Sequence, residues 1–438
     1  MSSESSSDEE EIISESSSDE DEELSWGETL QRIKINDPRV KTIDNFQFNE
    51  EDLQNMTGEG WEELGRDIAN NTRLKKVDLS QGALNDHRVS FLSRGLTRSS
   101  SIETLALDVN GFSVAGVRSM VPFLQNANSL TRLDLDDNNL QTEGFHLLIS
   151  ALSDSPVEYL FVKRCGVESI DIKKEHIPRH LKYLYLESNI VNADGCRGLA
   201  TLLQGEDSTL GLLNLINNKI DDDGVEILVD ALQNNTSLAK LYLQGNNGIS
   251  TRGMIMLLKL VNDISSIEAT LQSNHTLRNL NVVGRIIVDQ TQTLINTATN
   301  INIDHRSNPE AAGREKVIQT QLHSKTRAEL AEMQGVNHSL YSEINPLHLP
   351  EVLAMVGRHH GQGELYIALK SSIADVISTV NRKQCILVQM AYYASKLEQL
   401  GAELAAIDEA AQAQGGRAED GESRSNKRRR TWWWGFWS

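Results

Sequence analysis

Asp221, Asp222 and Asp223 stand side by side ahead of Gly224, and three adjacent carboxylates could gather a hard cation. No second set of oxygen ligands accompanies them, so they read instead as acceptors for the free N–H groups of a helix start. Histidine offers as little. His359 and His360 are adjacent, so they cannot easily face one helical site, and no HExxH run occurs. His176 and His180 are four apart, but Pro178 between them disrupts the helix that would align them. GRHHGQGE at 357–364 has glycines without the lysine that a phosphate-cradling loop needs. No Ser-His-Asp order can be proposed from spacing alone. Cys165, Cys196 and Cys385 are too few and too scattered for a disulfide framework or a zinc cluster. These residues point away from an enzyme and imply neither metal nor cofactor.

The remaining chemistry-bearing side chains are aromatic and charged, and their spacing makes sense only against a repeat. LKKVDLSQGAL begins at Leu74, IETLALDVNGF at Ile102, LTRLDLDDNNL at Leu130 and VEYLFVKRCGV at Val157. LKYLYLESNIV follows at Leu181, LGLLNLINNKI at Leu210, LAKLYLQGNNGI at Leu238 and LRNLNVVG at Leu277. Successive starts are 28, 28, 27, 24, 29, 28 and 39 residues apart. Within LDL, Leu133 and Leu135 alternate with Asp134, the period of a strand with one buried face. In DDDGVEILVDALQNN, Val225, Ile227, Leu228, Ala231 and Leu232 fall on one helical stripe. Each strand–helix unit can bury its apolar side only by stacking on the next.

The motif resembles the leucine-rich repeat signature L-x-x-L-x-L-x-x-N/C-x-L. Its near-28 period, with a helical pattern after each copy, is similar to the ribonuclease-inhibitor subfamily. The resemblance covers roughly residues 74–285 and implies an α/β solenoid, a horseshoe whose parallel strands line one open face. In such repeats Asn110, Asn138, Asn189, Asn218 and Asn246 satisfy backbone groups of neighbouring turns, and Cys165 fills that slot in the fourth copy. True ribonuclease inhibitors are rich in cysteine, so three cysteines argue against that activity. Nucleotide-binding immune receptors share the repeat but add a phosphate loop that has no counterpart here.

Two intervals are irregular. The 24-residue fourth copy, with Pro156 and Pro178, leaves little room for a helix. The 39-residue interval holds LVNDISSIEATLQSNHTL, expected to lengthen the preceding helix and loop. Upstream, TIDNFQF and GWEELGRDIANN read as an atypical first repeat that caps the core. The chain therefore divides into an acidic tail (1–24), a capping repeat (25–73), the repeats (74–285), a helical region (286–414) and a basic, Trp-rich tail (415–438).

Offsets two, four and six from each first apolar residue project onto the open face. That register places Tyr159, Phe161, Tyr183, Tyr185 and, further on, Tyr242 there. Asp78, Asp108, Asp134 and Asp136 come from earlier copies, and Lys163, Arg164 and Lys240 lie among the aromatics. Strands spaced about 4.8 Å apart over eight copies give an arc of roughly 35 Å, room for a helix or a small domain. Aromatic residues favour strands on packing grounds. They also anchor interfaces, because they bury large area while keeping a polar tip.

Net charge is −20 over 438 residues, and residues 1–24 carry eleven Asp or Glu with no Lys or Arg. So dense a run of like charge reads as disordered. Ser5, Ser6, Ser7, Ser16, Ser17 and Ser18 each have an acid three residues on, the pattern of an acidophilic kinase site. A purely solvating tail is the other reading. The opening MSSESSSDEEE has no basic n-region or apolar core, so it does not read as a secretory signal. No apolar run is long enough to cross a bilayer. An intracellular protein of nucleus or cytoplasm, with reduced thiols, is the implied setting.

Helical spacing returns at 310–334 and 365–412. These helices could cap the last repeat, form a separate module, or pair as a coiled coil through 385–412. Lys427, Arg428, Arg429 and Arg430 resemble a short nuclear-import signal. With Trp432, Trp433, Trp434 and Trp437 the segment suits equally a membrane interface or a partner's groove. No nucleic-acid partner is implied. The functional expectation is a non-enzymatic scaffold that binds a protein on the open face. The alternative comes from likeness to Ran GTPase-activating proteins, which share the repeat length. Their acidic segment follows the repeats, whereas here it precedes them, and no catalytic residue can be matched.

Overall fold

The computed structural model describes residues 25–48, 50–205, 208–283, 290–322 and 324–336. Ser5 to Ser7, Ser16 to Ser18, His359, His360, the helical pattern at 365–412 and Lys427 to Arg430 lie outside the described residues.

Nine parallel strands lie side by side in chain order: β1 (Thr42–Ile43), β2 (Lys76–Asp78), β3 (Thr104–Ala106), β4 (Arg132–Asp134), β5 (Tyr159–Phe161), β6 (Tyr183–Tyr185), β7 (Leu212–Asn214), β8 (Lys240–Tyr242) and β9 (Asn279–Asn281). Their register is strict. Val77, Leu105, Leu133, Leu160, Leu184, Leu213, Leu241 and Leu280 pair in succession, and each is at most 1% exposed. The fourth residue of every motif is therefore one rung of a continuous core. This is an α/β leucine-rich repeat solenoid.

Helices follow the strands. After α1 (Trp26–Lys34), α2 (Glu50–Gln54) and α3 (Gly58–Asn70) come six helices of 11 residues each: α4 (Asp86–Leu96), α5 (Val114–Leu124), α6 (Gln141–Ala151), α7 (Ala193–Leu203), α8 (Asp222–Leu232) and α9 (Thr251–Val261). Oxygen-bearing side chains cap five of them: Asn85, Ser113, Asn192, Asp221 and Ser250 each accept a backbone N–H of the first turn. Two of the three adjacent aspartates are thereby explained. Asp221 caps α8, while Asp222 accepts from Ser250 N at 2.8 Å and Gly253 N at 3.0 Å, tying the start of α9 to its own helix.

The fourth repeat replaces its helix with a single 3-10 turn, Lys174–His176. The long interval departs from expectation. Helix α9 keeps its 11 residues and ends at Asn262, whose φ of −160° and ψ of 79° leave the helical region. The extra residues form a separate short helix, α10 (Ile267–Gln272), held by Thr270 Oγ1 donating to Asp263 O at 2.6 Å. Beyond β9, α11 (Gln290–Asp304), α12 (Pro309–Leu322) and α13 (Ser324–Gln334) pack on α9, α10 and β9.

The asparagine row carries its structural load as a ladder. Asn218 Nδ2 donates to Leu186 O at 2.9 Å and Leu215 O at 3.1 Å, while its Oδ1 accepts from Val191 N at 2.9 Å. Asn189 and Asn246 repeat the pattern one turn away on either side. Buried backbone groups must be paired, and one carboxamide here serves two repeats at once. Cys165 does the same with less, its Sγ donating toward Leu135 O and Lys163 O at 3.3 and 3.2 Å. Burial pushes its thiol up to about 12, so it is a packed, protonated group rather than a nucleophile.

Candidate functional site

Strand alternation sends the middle residue of each strand into the core and its two neighbours to the other face. On β5 and β6 those neighbours are all aromatic, and in-register pairing sets them ring against ring. Tyr159 and Tyr183 stack with centroids 4.3 Å apart and planes 4° from parallel. Phe161 and Tyr185 stack at 4.4 Å and 6°. The two columns form a shelf across adjacent strands.

A cation closes one end. The Arg132 guanidinium, from β4, lies 4.1 Å from the Phe161 centroid, and Tyr185 stacks on the same ring. Phe161 is consequently only 7% exposed. The sequence register offers it as a contact residue; the structure makes it the filling between Arg132 and Tyr185. Tyr159, Tyr183 and Tyr185 remain half-buried. Tyr242 stands apart, since Asn214 of β7 separates it from Tyr185. Its hydroxyl accepts from Asn279 Nδ2 at 3.4 Å, and burial raises its pKa.

The charged residues divide. Asp136, 8% exposed, accepts from Lys163 N at 2.6 Å and faces Lys163 Nζ at 3.4 Å. It therefore holds the turn after β5 and offers little to a ligand, although burial raises its pKa. Lys163 in turn hovers 5.4 Å from Phe161 and 5.5 Å from Tyr185. Asp134 is the under-compensated member. Burial first, then the charge of Asp136, pushes its carboxyl up to about 7, and Arg132 approaches no nearer than 3.9 Å. Toward β2, Ser80 Oγ sits 2.5 Å from an oxygen of both Asp78 and Asp108. Arg164 turns away to an ion pair with Asp137 on the loop side.

Arg132 is the residue that sequence reasoning passes over. It occupies offset two of the third copy, so the signal was present in the register. What the register lacks is that a long side chain reaches diagonally to the next strand's ring. Among the described residues no group of three or more His, Cys, Asp or Glu is arranged to hold a metal, and no helix is long and apolar enough to cross a membrane.

No family model matches the chain. Ribonuclease inhibitor of Sus scrofa is 29% identical over 198 residues, covering 44% of this chain and 43% of that protein. Its Mus musculus counterpart is 28% identical over 202 residues, with the same shares. NACHT, LRR and PYD domains-containing protein 14 of Mus musculus is 28% identical over 222 residues, 50% of this chain and 20% of that one. The matches thus span less than half the length of these relatives. Among solved structures, actin-binding site 2 of leiomodin-1 aligns with 31% of this chain and 77% of that chain, at 23% identity and a TM-score of 0.27, too low to carry an argument. With ribonuclease inhibitors among its relatives and nine parallel strands alternating with helices, the chain is a leucine-rich repeat protein of the ribonuclease-inhibitor-like kind.

Proposed function

We propose that the chain is a non-enzymatic scaffold that holds a protein partner on the open face of its sheet, centred on the β5–β6 shelf. The observation that carries this reading is the pair of stacked ring columns on strands distant from β9, where the described C-terminal helices pack. Solenoids recognise partners through such extended surfaces. Relatives named as inhibitors of ribonuclease, itself a protein, support the class of partner.

Charge refines it. Near β1–β4 the acids Asp44, Asp78, Asp108 and Asp134 outnumber Lys76 and Arg132, whereas Lys163 and Lys240 outnumber Glu187 near β5–β8. A complementary partner sets basic side chains over the first half and apolar ones over the shelf. The test is proximity labelling with the full chain, wild type against the double variant Tyr183→Ala, Tyr185→Ala. Loss of two interface aromatics costs roughly 2 kcal/mol or more, so the specific neighbours should fall by at least about tenfold. An unchanged set of neighbours would remove the shelf from consideration.

A further inference from the structure

One set of the polar contacts that fasten the C-terminal helices to the last repeat centres on a buried cation. Lys316, on α12, is 0% exposed. Its ammonium donates to Val261 O, the end of α9, at 2.6 Å and approaches Asn274 O at 3.4 Å. His275 Nδ1 lies 3.0 Å away. Nε2 of the same ring is 3.1 Å from Leu271 O. A carbonyl only accepts, so Nε2 carries the proton and Nδ1 is the acceptor for Lys316.

Three acceptors therefore face three N–H bonds, with no anion among them. Among the described side chains, the ionisable ones on the surrounding elements are Arg252 and Lys259 on α9, Asp263 after it, Glu268 on α10, Asp304 on α11, Glu310, Arg314 and Glu315 on α12, and Glu329 and Glu332 on α13. Among the described residues none pairs with Lys316 or His275; Arg314 pairs with Glu310 instead. Gly313 presses α12 onto the ring, where a Cβ would come 2.7 Å from Nε2. The imidazole is only half-buried and so open to protons.

We propose that His275 and Lys316 form an acid-released latch, through which protonation of the imidazole undocks α12, with α11 and α13, from the end of the repeat sheet. A proton on Nδ1 removes the third acceptor and sets two cations 3.0 Å apart. Lifting α12 relieves both faults. Burial followed by the Lys316 charge holds His275 down at about 4 against 6.5 when free, and burial holds Lys316 down at about 7 against 10.5. The undocked state thus binds more protons than the docked state between pH 4 and 6.5 for the histidine, and between 7 and 10.5 for the lysine. Docking weakens as pH falls through either window, by up to about tenfold per pH unit per proton.

Hydrogen exchange on the full chain, read as protection factors at pH 5.0, 6.5, 7.5 and 9.0, tests this. Protection in α11–α13 should fall about fifteenfold from pH 6.5 to 5.0 and rise from 7.5 to 9.0, while α4–α8 show neither change. His275→Asn, which keeps an acceptor for Lys316 but does not titrate, should abolish the acid drop. Lys316→Met should flatten the alkaline rise, and it decides the matter if His275→Asn does not fold. No acid drop in the wild type, or wild-type pH dependence in both variants, overturns the latch.

Discussion

Asp134 carries its consequence in its proton. A carboxyl held at about 7, against about 3.9 in an unfolded chain, binds more protons folded than unfolded between those values. Its contribution to stability is present in acid and lost as pH rises through 7. Urea unfolding of the wild type from pH 4 to 8 should show a loss of about 2–4 kcal/mol that Asp134→Asn lacks. A partner cation set beside Asp134 would expel that proton, so capture should strengthen over pH 6 to 8. Val109 is a second residue out of balance. It sits at φ 51°, 46% exposed, in the left-handed region where a Cβ costs roughly 1–2 kcal/mol. Gln81, Asp137, Arg164, Ser188, Asn217 and Gly245 take the same conformation at the matching turn position. Val109→Gly should therefore stabilise the protein by about 1 kcal/mol, measured as a higher urea midpoint.

At the scale of elements, the strands and the regular helices were legible because burial dictates them. Every Leu184-like position must reach the core, and caps such as Asp221 and Ser250 mark most of the regular helix starts. The ladder was legible as well, since a buried asparagine at a constant offset has few other uses. Asn189→Ala would leave Val162 O, Cys165 N and Val167 N short of a partner. A cost of about 2–3 kcal/mol is expected in equilibrium unfolding. Two things stayed hidden. Helix α10 depends on Asn262 leaving the helical region, a backbone choice that no periodicity announces. The stacked columns depend on ring planes, and register fixes only which strands meet, not how Arg132 and Tyr185 come to flank Phe161.

Across the array, each repeat rests only on its neighbours, so stability sums along the chain rather than over one compact core. The fourth repeat is the thin place: a 3-10 turn stands where its neighbours have 11-residue helices. Leu160→Ala, at a position with 0% exposure, should cost about 2–5 kcal/mol there. It should also split the urea transition in two, with hydrogen exchange assigning one phase to β1–β4 and the other to β6–β9. A single unchanged transition would mean that the halves are coupled more strongly than stacking alone provides. The far end of the sheet behaves differently. Gln292 Oε1 accepts from Val282 N at 2.9 Å and Val283 N at 3.2 Å, and its Nε2 donates to Leu280 O at 2.8 Å. One carboxamide thereby impersonates the peptide group of a tenth strand. A foreign strand arriving at β9 meets a template already occupied, so neither fibre growth nor strand donation can begin at that rim without first evicting a side chain.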